Sequence, residues 1–334
     1  MSRWAGTGGW GIAAACSNKP AMETGRSVGP VKKWIIAARP WALPASTMPV
    51  IFGTSLAVVI DRARLKPGLF LLAFAGMIVL HAAANMLSDV FDFRRGLDRD
   101  VTPVSGAIVR GWLTSRQVAA GSVVLFLVGA AIGLYLVSVT GRTLLVIGVL
   151  GLAVGVFYPG LKYRSLGDLA VFLDFGLIGA LGAWVVQTGR FSWIPVLWTV
   201  PMSMLVVAIL HANNWRDSVS DRERMVTTVA ARLGDRGAFA YYGFLLFGSM
   251  AIIIGLIFAP RVISPGLVAM PLTFLIVLLA LPRTLSLWGR ARRRHSPRRP
   301  MDFIILDGAT ASYNLLFGLL CTAAAWLHFV LSRR

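Results

Sequence analysis

Nine stretches of about 20 mostly apolar residues follow one another along this 334-residue chain, and short polar turns separate them. The hydrocarbon core of a bilayer is about 30 Å thick and takes roughly 20 apolar residues of helix. The pattern predicts transmembrane helices near residues 42–60, 68–88, 118–139, 143–159, 166–188, 192–212, 238–259, 264–281 and 306–331. Turns as short as Gly141-Arg142 predict antiparallel neighbours. The expected fold is an all-α integral membrane protein with about nine transmembrane helices in a single bundle.

Composition excludes the main alternatives to a membrane protein. Hydrophobic residues make up 57% of the chain and charged residues 14%, with a mean hydropathy of +0.72. Such a chain is too apolar for an ordinary soluble enzyme or for a disordered protein. The two cysteines, Cys16 and Cys321, lie at opposite ends and indicate no disulfide framework.

The chain is also strongly basic, with 33 Lys and Arg against 14 Asp and Glu. Cationic residues mark the cytoplasmic side of a membrane protein, and alternate connections here carry 25 and 8 of them. This predicts a cytoplasmic N-terminus and a multi-pass protein of the cell inner (cytoplasmic) membrane. Residues 1–33 are expected to form a flexible cytoplasmic extension, and 34–334 the transmembrane domain. The arginine-rich segment 290–299 is interpreted as facing anionic lipid, with no nucleic acid as partner.

Half of the 14 acidic residues fall in two short segments that directly follow the second and sixth predicted helices. In the first, Asn85, Asp89 and Asp92 are spaced i, i+4 and i+7, which places them on one face if the helix continues. In the second, Asn213, Asp217 and Asp221 repeat the pattern at i, i+4 and i+8. Both segments belong to the predicted cytoplasmic side, so two oxygen-rich faces are expected to meet at one mouth of the bundle.

Oxygen-rich faces of this kind suit magnesium, which binds a few carboxylates and completes its shell with water and substrate phosphate. Two such faces would hold two ions across a diphosphate. The alternative is that the acids form ordinary loop salt bridges with nearby arginines, namely Arg94, Arg95, Arg99, Arg216, Arg222 and Arg224. A carboxylate near the membrane is costly, so the repeated pattern favours the metal and diphosphate interpretation.

These residues resemble the UbiA-type membrane prenyltransferases, and most closely the branch that contains the 1,4-dihydroxy-2-naphthoate polyprenyltransferases of menaquinone synthesis. The resemblance runs from about Ala38 to the last helix. It rests on Arg39-Pro40-Trp41-Ala42-Leu43-Pro44-Ala45, on Asn85 through Asp98, on Asn213 through Arg222 followed by Ala231-Arg232-Leu233-Gly234, and more weakly on Ser165-Leu166-Gly167-Asp168 with Gln187-Thr188-Gly189.

The resemblance implies a bundle around a hydrophobic cavity in which Mg²⁺ ions bind a polyprenyl diphosphate. Residue by residue, it implies that Asn85, Asp89 and Asp92 ligate one ion, and that Asn213, Asp217 and Asp221 ligate the other. The four aspartates would be the catalytic residues, while Asn85, Asn213, Lys162 and Arg39 would bind substrate. Lys162 is expected to hold diphosphate or simply to set topology, and Arg39 to reach an acceptor carboxylate or phosphate or to remain at the interface.

Other polar groups and two departures from the family pattern qualify this prediction. Asp168 and Asp174 are intramembrane acids and therefore functional candidates, although Asp168 could instead cap its helix. His81 and His211 are interpreted as cavity or core histidines in preference to catalytic bases. Val226 stands where the family commonly has a lysine, and the loop at 102–111 keeps mainly Arg110 and Gly111 of the naphthoate-branch pattern.

The leading hypothesis is magnesium-dependent transfer of a polyprenyl group to an aromatic acceptor, with a quinone precursor such as 1,4-dihydroxy-2-naphthoate as the expected acceptor. The same chemistry on 4-hydroxybenzoate, a glycerol phosphate ether or a tetrapyrrole is the main alternative. A membrane transporter or lipid-binding scaffold is a further one, disfavoured because the acids cluster at one face. The expected partners are both substrates and membrane lipid, and no protein partner is inferable.

Overall fold

The structure is a computed structural model that describes residues 29–97, 106–263, 268–295 and 300–333. Within these ranges the regular secondary structure is helical, and no β-strand is formed. Eight of the described helices are long and apolar enough to cross a membrane. A bent pair, Pro30–Ala42 and Pro44–Val59, makes a ninth if it is counted as one span broken by 58°. The predicted all-α membrane fold of about nine spans is confirmed.

Twelve α-helices follow one another along the described chain. They are α1 Pro30–Ala38, α2 Pro44–Val59, α3 Pro67–Arg94, α4 Ser115–Thr140, α5 Arg142–Lys162, α6 Gly167–Val171, α7 Gly179–Thr188, α8 Trp193–Glu223, α9 Val229–Ile263, α10 Leu281–Arg292, α11 Pro300–Ile304 and α12 Leu306–Leu331. A π-helical stretch, Phe172–Ile178, joins α6 to α7, and a 3₁₀ stretch, Leu272–Ala280, precedes α10. The predicted extension 1–33 lies outside the described residues, apart from its last five.

Local sequence explains where the spans begin and end. Proline occupies the first turn of α2 and of α3, where its missing N–H costs no hydrogen bond. Thr114 and Gln117 form a capping box at the start of α4. Gly141 and Gly189 then adopt positive φ at the ends of α4 and α7, a conformation that glycine tolerates best.

Several boundaries differ from the sequence prediction. Helices α3 and α8 continue beyond residues 88 and 212, so residues 85–92 and 213–221 are helical and continuous with membrane spans. The span predicted at 264–281 is wrong in its bounds, because the described helix runs from Leu272 to Arg292. Thr284, Leu287 and Ala291 form a buried stripe on α10, and this packing carries the helix past the charged positions at which the prediction ended.

The main hydrophobic core joins α2, α7, α8, α9 and α12, and it contains the fully buried Trp184, Trp215 and Tyr242. A smaller cluster packs Ala37 of α1 against Met86 and Val90 of α3. The smaller cluster holds α1 against the end of α3, where the first acidic segment lies. Each acidic segment is therefore attached to a packed core instead of a free loop.

Gly53 marks the closest approach of α2 and α7, because a Cβ there would overlap the backbone carbonyl of Ala180. Backbone cannot yield as a flexible side chain can, so Gly53→Ala should destabilise the protein by about 1–3 kcal/mol. Thermal unfolding in detergent is the measurement, with Gly255→Ala on the exposed face of α9 as the control. Equal midpoints for the two variants would contradict this packing.

Candidate active site

A cavity of about 940 Å³, counted with the space that opens to the surroundings, lies among α2, α3, α5, α6, α8 and α12, together with the turn before α2 and the π-helical stretch. Asn85 from the first acidic segment and Asn213 from the second both line it. Arg39 and Lys162 line the same cavity. The structure therefore brings together the four residues for which substrate binding is predicted.

The first acidic segment occupies the last turns of α3, and its two carboxylates are buried. Asp89 forms an ion pair with Arg39. The backbone at Gly106 approaches the same carboxylate so closely that a Cβ would lie 2.7 Å from Asp89 Oδ2. A residue larger than glycine at position 106 would therefore displace Asp89.

Arg39 reaches Asp89 from an unusual backbone turn. It adopts left-handed φ and ψ of 53° and 60° between α1 and Pro40. Such a conformation costs a non-glycine residue about 1–2 kcal/mol. The ion pair with the buried carboxylate offsets this cost, and it places Arg39 in the cavity wall instead of at the lipid interface.

Asp92 is held by three side chains. Lys162 Nζ lies 2.9 Å from Asp92 Oδ2, the hydroxyl of Tyr163 donates to Oδ1 at 2.8 Å, and that of Ser88 donates to Oδ2 at 3.4 Å. Burial and the adjacent carboxylate raise the pKa of the Tyr163 phenol above its ordinary value, so it remains a donor.

Arg216 organises the second acidic segment at the end of α8. Its guanidinium donates to Asn213 Oδ1 at 2.6 Å, to Asp217 Oδ1 at 3.0 Å and to Asp307 Oδ2 of α12 at 2.9 Å. Asp221 is buried and attracts Lys162 electrostatically. Because Lys162 also pairs with Asp92, its ammonium group links the two segments.

Loop contacts hold the two segments side by side. Arg224, just after α8, donates to the backbone carbonyl of Leu97, just after α3. Ser165 Oγ donates to the carbonyl of Thr227 at 2.5 Å, which ties the loop after α5 to the loop after α8. Val226, which replaces the lysine common in the family pattern, is buried in this junction.

The salt-bridge alternative is partly correct, because Asp89, Asp92 and Asp217 each pair with a cation. The partners differ from those expected, since of the six nearby arginines only Arg216 makes such a pair in the described ranges. Arg39 and Lys162, which line the cavity, make the other two. Among residues with a described position, no three His, Cys, Asp or Glu side chains are grouped closely enough to hold a metal ion.

The remaining candidate residues lie either in the cavity wall or in the protein core. His81 lines the cavity, with Nδ1 2.7 Å from Ser46 Oγ and its ring against Phe175, whereas His211 is fully buried. Asp168 does not cap its helix as suggested, because α6 has no side-chain cap at its start and Asp168 is buried beside His211.

A second cavity of about 850 Å³, also counted with its open space, adjoins the first. Its walls are mostly apolar side chains and glycines of α3, α4, α5 and α7. The two cavities share four lining residues, namely Ala84, Gly155, Asp174 and Phe175. A polar mouth therefore leads into an apolar slot.

The family model described as UbiA prenyltransferase family matches residues 46–306, which is most of the chain. The chain belongs to this family. It is therefore a prenyltransferase and a multi-pass membrane protein. UbiA prenyltransferase domain-containing protein 1 of Homo sapiens is 30% identical over 86% of this chain and 81% of its own length. The Drosophila melanogaster homolog is 29% identical over 94% and 87%.

Solved structures support the same fold. A UbiA homolog from Aeropyrum pernix K1 superposes with a TM-score of 0.61 at 17% identity, covering 84% of this chain and 97% of that one. A UbiA homolog from Archaeoglobus fulgidus, bound to GPP and Mg²⁺, gives 0.58 at 13% identity and covers 87% and 99%. These relatives lend no support to the naphthoate branch in particular.

Three residues of this UbiA prenyltransferase contact the candidate site although the sequence reasoning did not select them. Asp307 lies in the first turn of α12 and also lines the cavity. Tyr163 directly follows Lys162, and Gly106 lies 14 positions after Asp92 in the sequence. An acid at the start of an apolar span was a usable signal for Asp307, but the other two depend on distant packing.

Replacing Arg216 tests the organisation of the second segment. Arg216→Met leaves Asp307, which is mostly buried, and Asp217, whose side chain is 38% exposed, without their shared cation, so the free energy of unfolding should fall by about 1–3 kcal/mol. The midpoint of thermal unfolding in detergent measures this, with Arg232→Met as an exposed control. A midpoint equal to that of the control would show that Arg216 is not the organising cation.

Proposed function

We propose that this UbiA prenyltransferase transfers a polyprenyl group from its diphosphate to an aromatic acceptor in a magnesium-dependent reaction. The observation that carries the proposal is that Asn85 and Asn213, from two separate helix ends, line one cavity together with Arg39 and Lys162. Amide oxygens and basic groups at one mouth suit a diphosphate with its metal ions. The acceptor we favour is a quinone precursor such as 1,4-dihydroxy-2-naphthoate.

The donor set of the two helix ends fits magnesium. All six residues offer oxygen, which is the ligand type that this ion prefers. Asn85, Asp89 and Asp92 would hold one ion, and Asn213, Asp217 and Asp221 the other. Bound magnesium supplies charge neutralisation for the departing diphosphate. The Archaeoglobus fulgidus homologs of this fold are described as bound to Mg²⁺ with GPP or with DMAPP, which supports the metal requirement.

The basic side chains have a second task in this proposal. In the structure, the positive charges of Lys162 and Arg39 neutralise the carboxylates of Asp92 and Asp89. If these carboxylates held Mg²⁺, Lys162 and Arg39 would be free to contact the phosphate oxygens of a substrate in the same cavity. Lysine serves as a compact point charge for phosphate, and the planar arginine fork matches two oxygens at once.

The apolar cavity suits the isoprenoid. Its walls of glycines and aliphatic side chains would bury the prenyl chain, which gains about 0.8 kcal/mol for each CH₂ removed from water. The junction with the polar cavity would then place the first isoprene unit between the diphosphate and the acceptor. An apolar wall also keeps water from an allylic cation.

The other acceptors remain within the same chemistry, namely 4-hydroxybenzoate, a glycerol phosphate ether or a tetrapyrrole. Membership of a prenyltransferase family favours transfer over the transporter or scaffold alternative. The charge asymmetry supports an active site that faces the cytoplasm from the cell inner membrane, because both acidic segments follow even-numbered predicted spans.

An acceptor panel tests the proposed function directly. Membranes containing the protein are incubated with labelled prenyl diphosphates, Mg²⁺ and each acceptor class in turn. We expect prenylated product from at least one aromatic acceptor, with most turnover on the naphthoate, and loss of the product when a chelator removes the metal. Turnover of the glycerol phosphate ether alone would overturn the aromatic assignment.

Substitution of the acidic residues tests the site. Asp89→Ala and Asp217→Ala each remove a carboxylate from one helix end, so both should reduce magnesium-dependent transfer by about 100-fold or more. Asp61→Ala is the matched control, because Asp61 pairs with Arg190 in a connecting loop away from the cavity. Membrane insertion is checked in parallel. Unchanged transfer in both site variants would disprove the assignment.

A further inference from the structure

Asp174 is an intramembrane acid that the proposed diphosphate site does not use. It lies in the π-helical stretch between α6 and α7, and it lines both cavities. In the described parts of the chain, no group hydrogen-bonds or ion-pairs with its carboxylate. An acid at this depth is costly to a membrane protein and is typical of a functional site.

The π-helical stretch explains how Asp174 faces the cavities. The lining residues of this span follow a four-residue spacing that begins at Ala170 and Asp174 and continues through Ile178 and Gly182. An α-helical turn has about 3.6 residues, so side chains spaced by four would move progressively around the helix and away from the cavities. The wider π turn compensates for that drift, and such turns occur frequently at functional sites. The stripe therefore stays directed at the cavities across both.

Helix α5 leaves room beside the carboxylate. A Cβ on Gly151 would lie 3.0 Å from Asp174 Oδ1, and one on Gly155 would lie 3.9 Å from Oδ2. The carboxylate thus rests against a glycine face, and a ligand in the junction can approach it. The other charged or titratable side chains that line the first cavity are Arg39, His81, Tyr158, Lys162 and Asp307.

Asp174 also lies apart from the residues that are proposed to bind the diphosphate. Lys162 ends α5, and Gly155, beside Asp174, lies seven residues earlier, which is about 10 Å along the helix. A carboxylate repels a diphosphate, so it suits a partner that donates hydrogen bonds. In the proposed reaction, the first isoprene unit and the attacking ring meet at the junction of the two cavities.

We propose that Asp174 accepts the hydroxyl proton of the aromatic acceptor and thereby activates the ring for attack. This inference rests on the proposed prenyl transfer and names a residue for its acceptor half. As the ring carbon bonds to C1 of the prenyl group, the C1–O bond breaks and its electron pair leaves with the diphosphate. The hydroxyl proton passes to Asp174, and the ring becomes a neutral ketone.

Asp174 also takes part in restoring the aromatic ring, because it returns the proton that it accepted. If the attacked carbon carries a hydrogen, that hydrogen leaves as a proton to the released diphosphate, and Asp174 returns its own proton to the ketone oxygen. If the attacked carbon carries a carboxylate, CO₂ leaves, its bonding pair re-forms the aromatic ring, and Asp174 protonates the oxygen. In both cases Asp174 ends in its starting form, and no oxidant or reductant is needed.

The test compares Asp174→Asn and Asp174→Glu with Asp61→Asn as the matched control. The substrate is the panel acceptor that the wild type turns over, together with its fully O-methylated ether, which has no hydroxyl proton to give. Asp174→Asn should lower kcat/KM for the free acceptor by about 100-fold. On the ether, wild type and Asp174→Asn should be equally slow, and Asp174→Glu should recover part of the activity on the free acceptor.

Two further measurements separate this role from others. Magnesium-dependent binding of a prenyl thiodiphosphate reports an intact fold and diphosphate site, and it should be unchanged in Asp174→Asn. Release of diphosphate without acceptor should also be unchanged, since no hydroxyl takes part. A parallel fall in acceptor-free release, or full transfer by Asp174→Asn, would overturn the inference. Failure of the wild type on every aromatic acceptor would instead overturn the proposed function.

Discussion

The need to balance buried carboxylates inside an apolar bundle governs the arrangement of this protein. Asp89 and Asp92 are buried at the end of α3, and each has a cationic partner from a different part of the chain. Unpaired, such groups would cost several kcal/mol each. Their partners, Arg39 and Lys162, are consequently drawn from the α1–α2 turn and from α5 to one place, and that convergence forms the cavity.

The same constraint prepares the site for chemistry. In the proposed function, carboxylates that already face cations would let a diphosphate and its metal ions exchange partners without a large rearrangement. Arg216 repeats the arrangement at α8, where it joins Asn213, Asp217 and Asp307. Asp174 is the exception among the cavity acids, since the described residues leave its carboxylate open to a ligand, and this difference in pairing separates its role from theirs.

Much of the architecture could be predicted from the sequence because it follows from the requirements of a lipid bilayer. Spans of about 20 apolar residues, oxygen-bearing faces at i, i+4 and the bias of basic residues are local patterns, and each has a single physical meaning in a bilayer. The prediction of the last-but-one span was wrong because Arg283 ended the apolar run, whereas the packing of Thr284, Leu287 and Ala291 carried the helix onward. Hydropathy along the sequence does not show which face of a helix packs against other helices.

The sequence by itself determined the membrane class, the number of spans, the two acidic helix ends and the family resemblance. Only the tertiary structure decided which cation meets which carboxylate, that Asp307 and Tyr163 join the site, and that Asp174 lies between two cavities. These pairings join residues 50 to 91 positions apart, such as Arg39 with Asp89 and Arg216 with Asp307. Spacing along one helix fixes a face, but packing between helices decides what that face contacts.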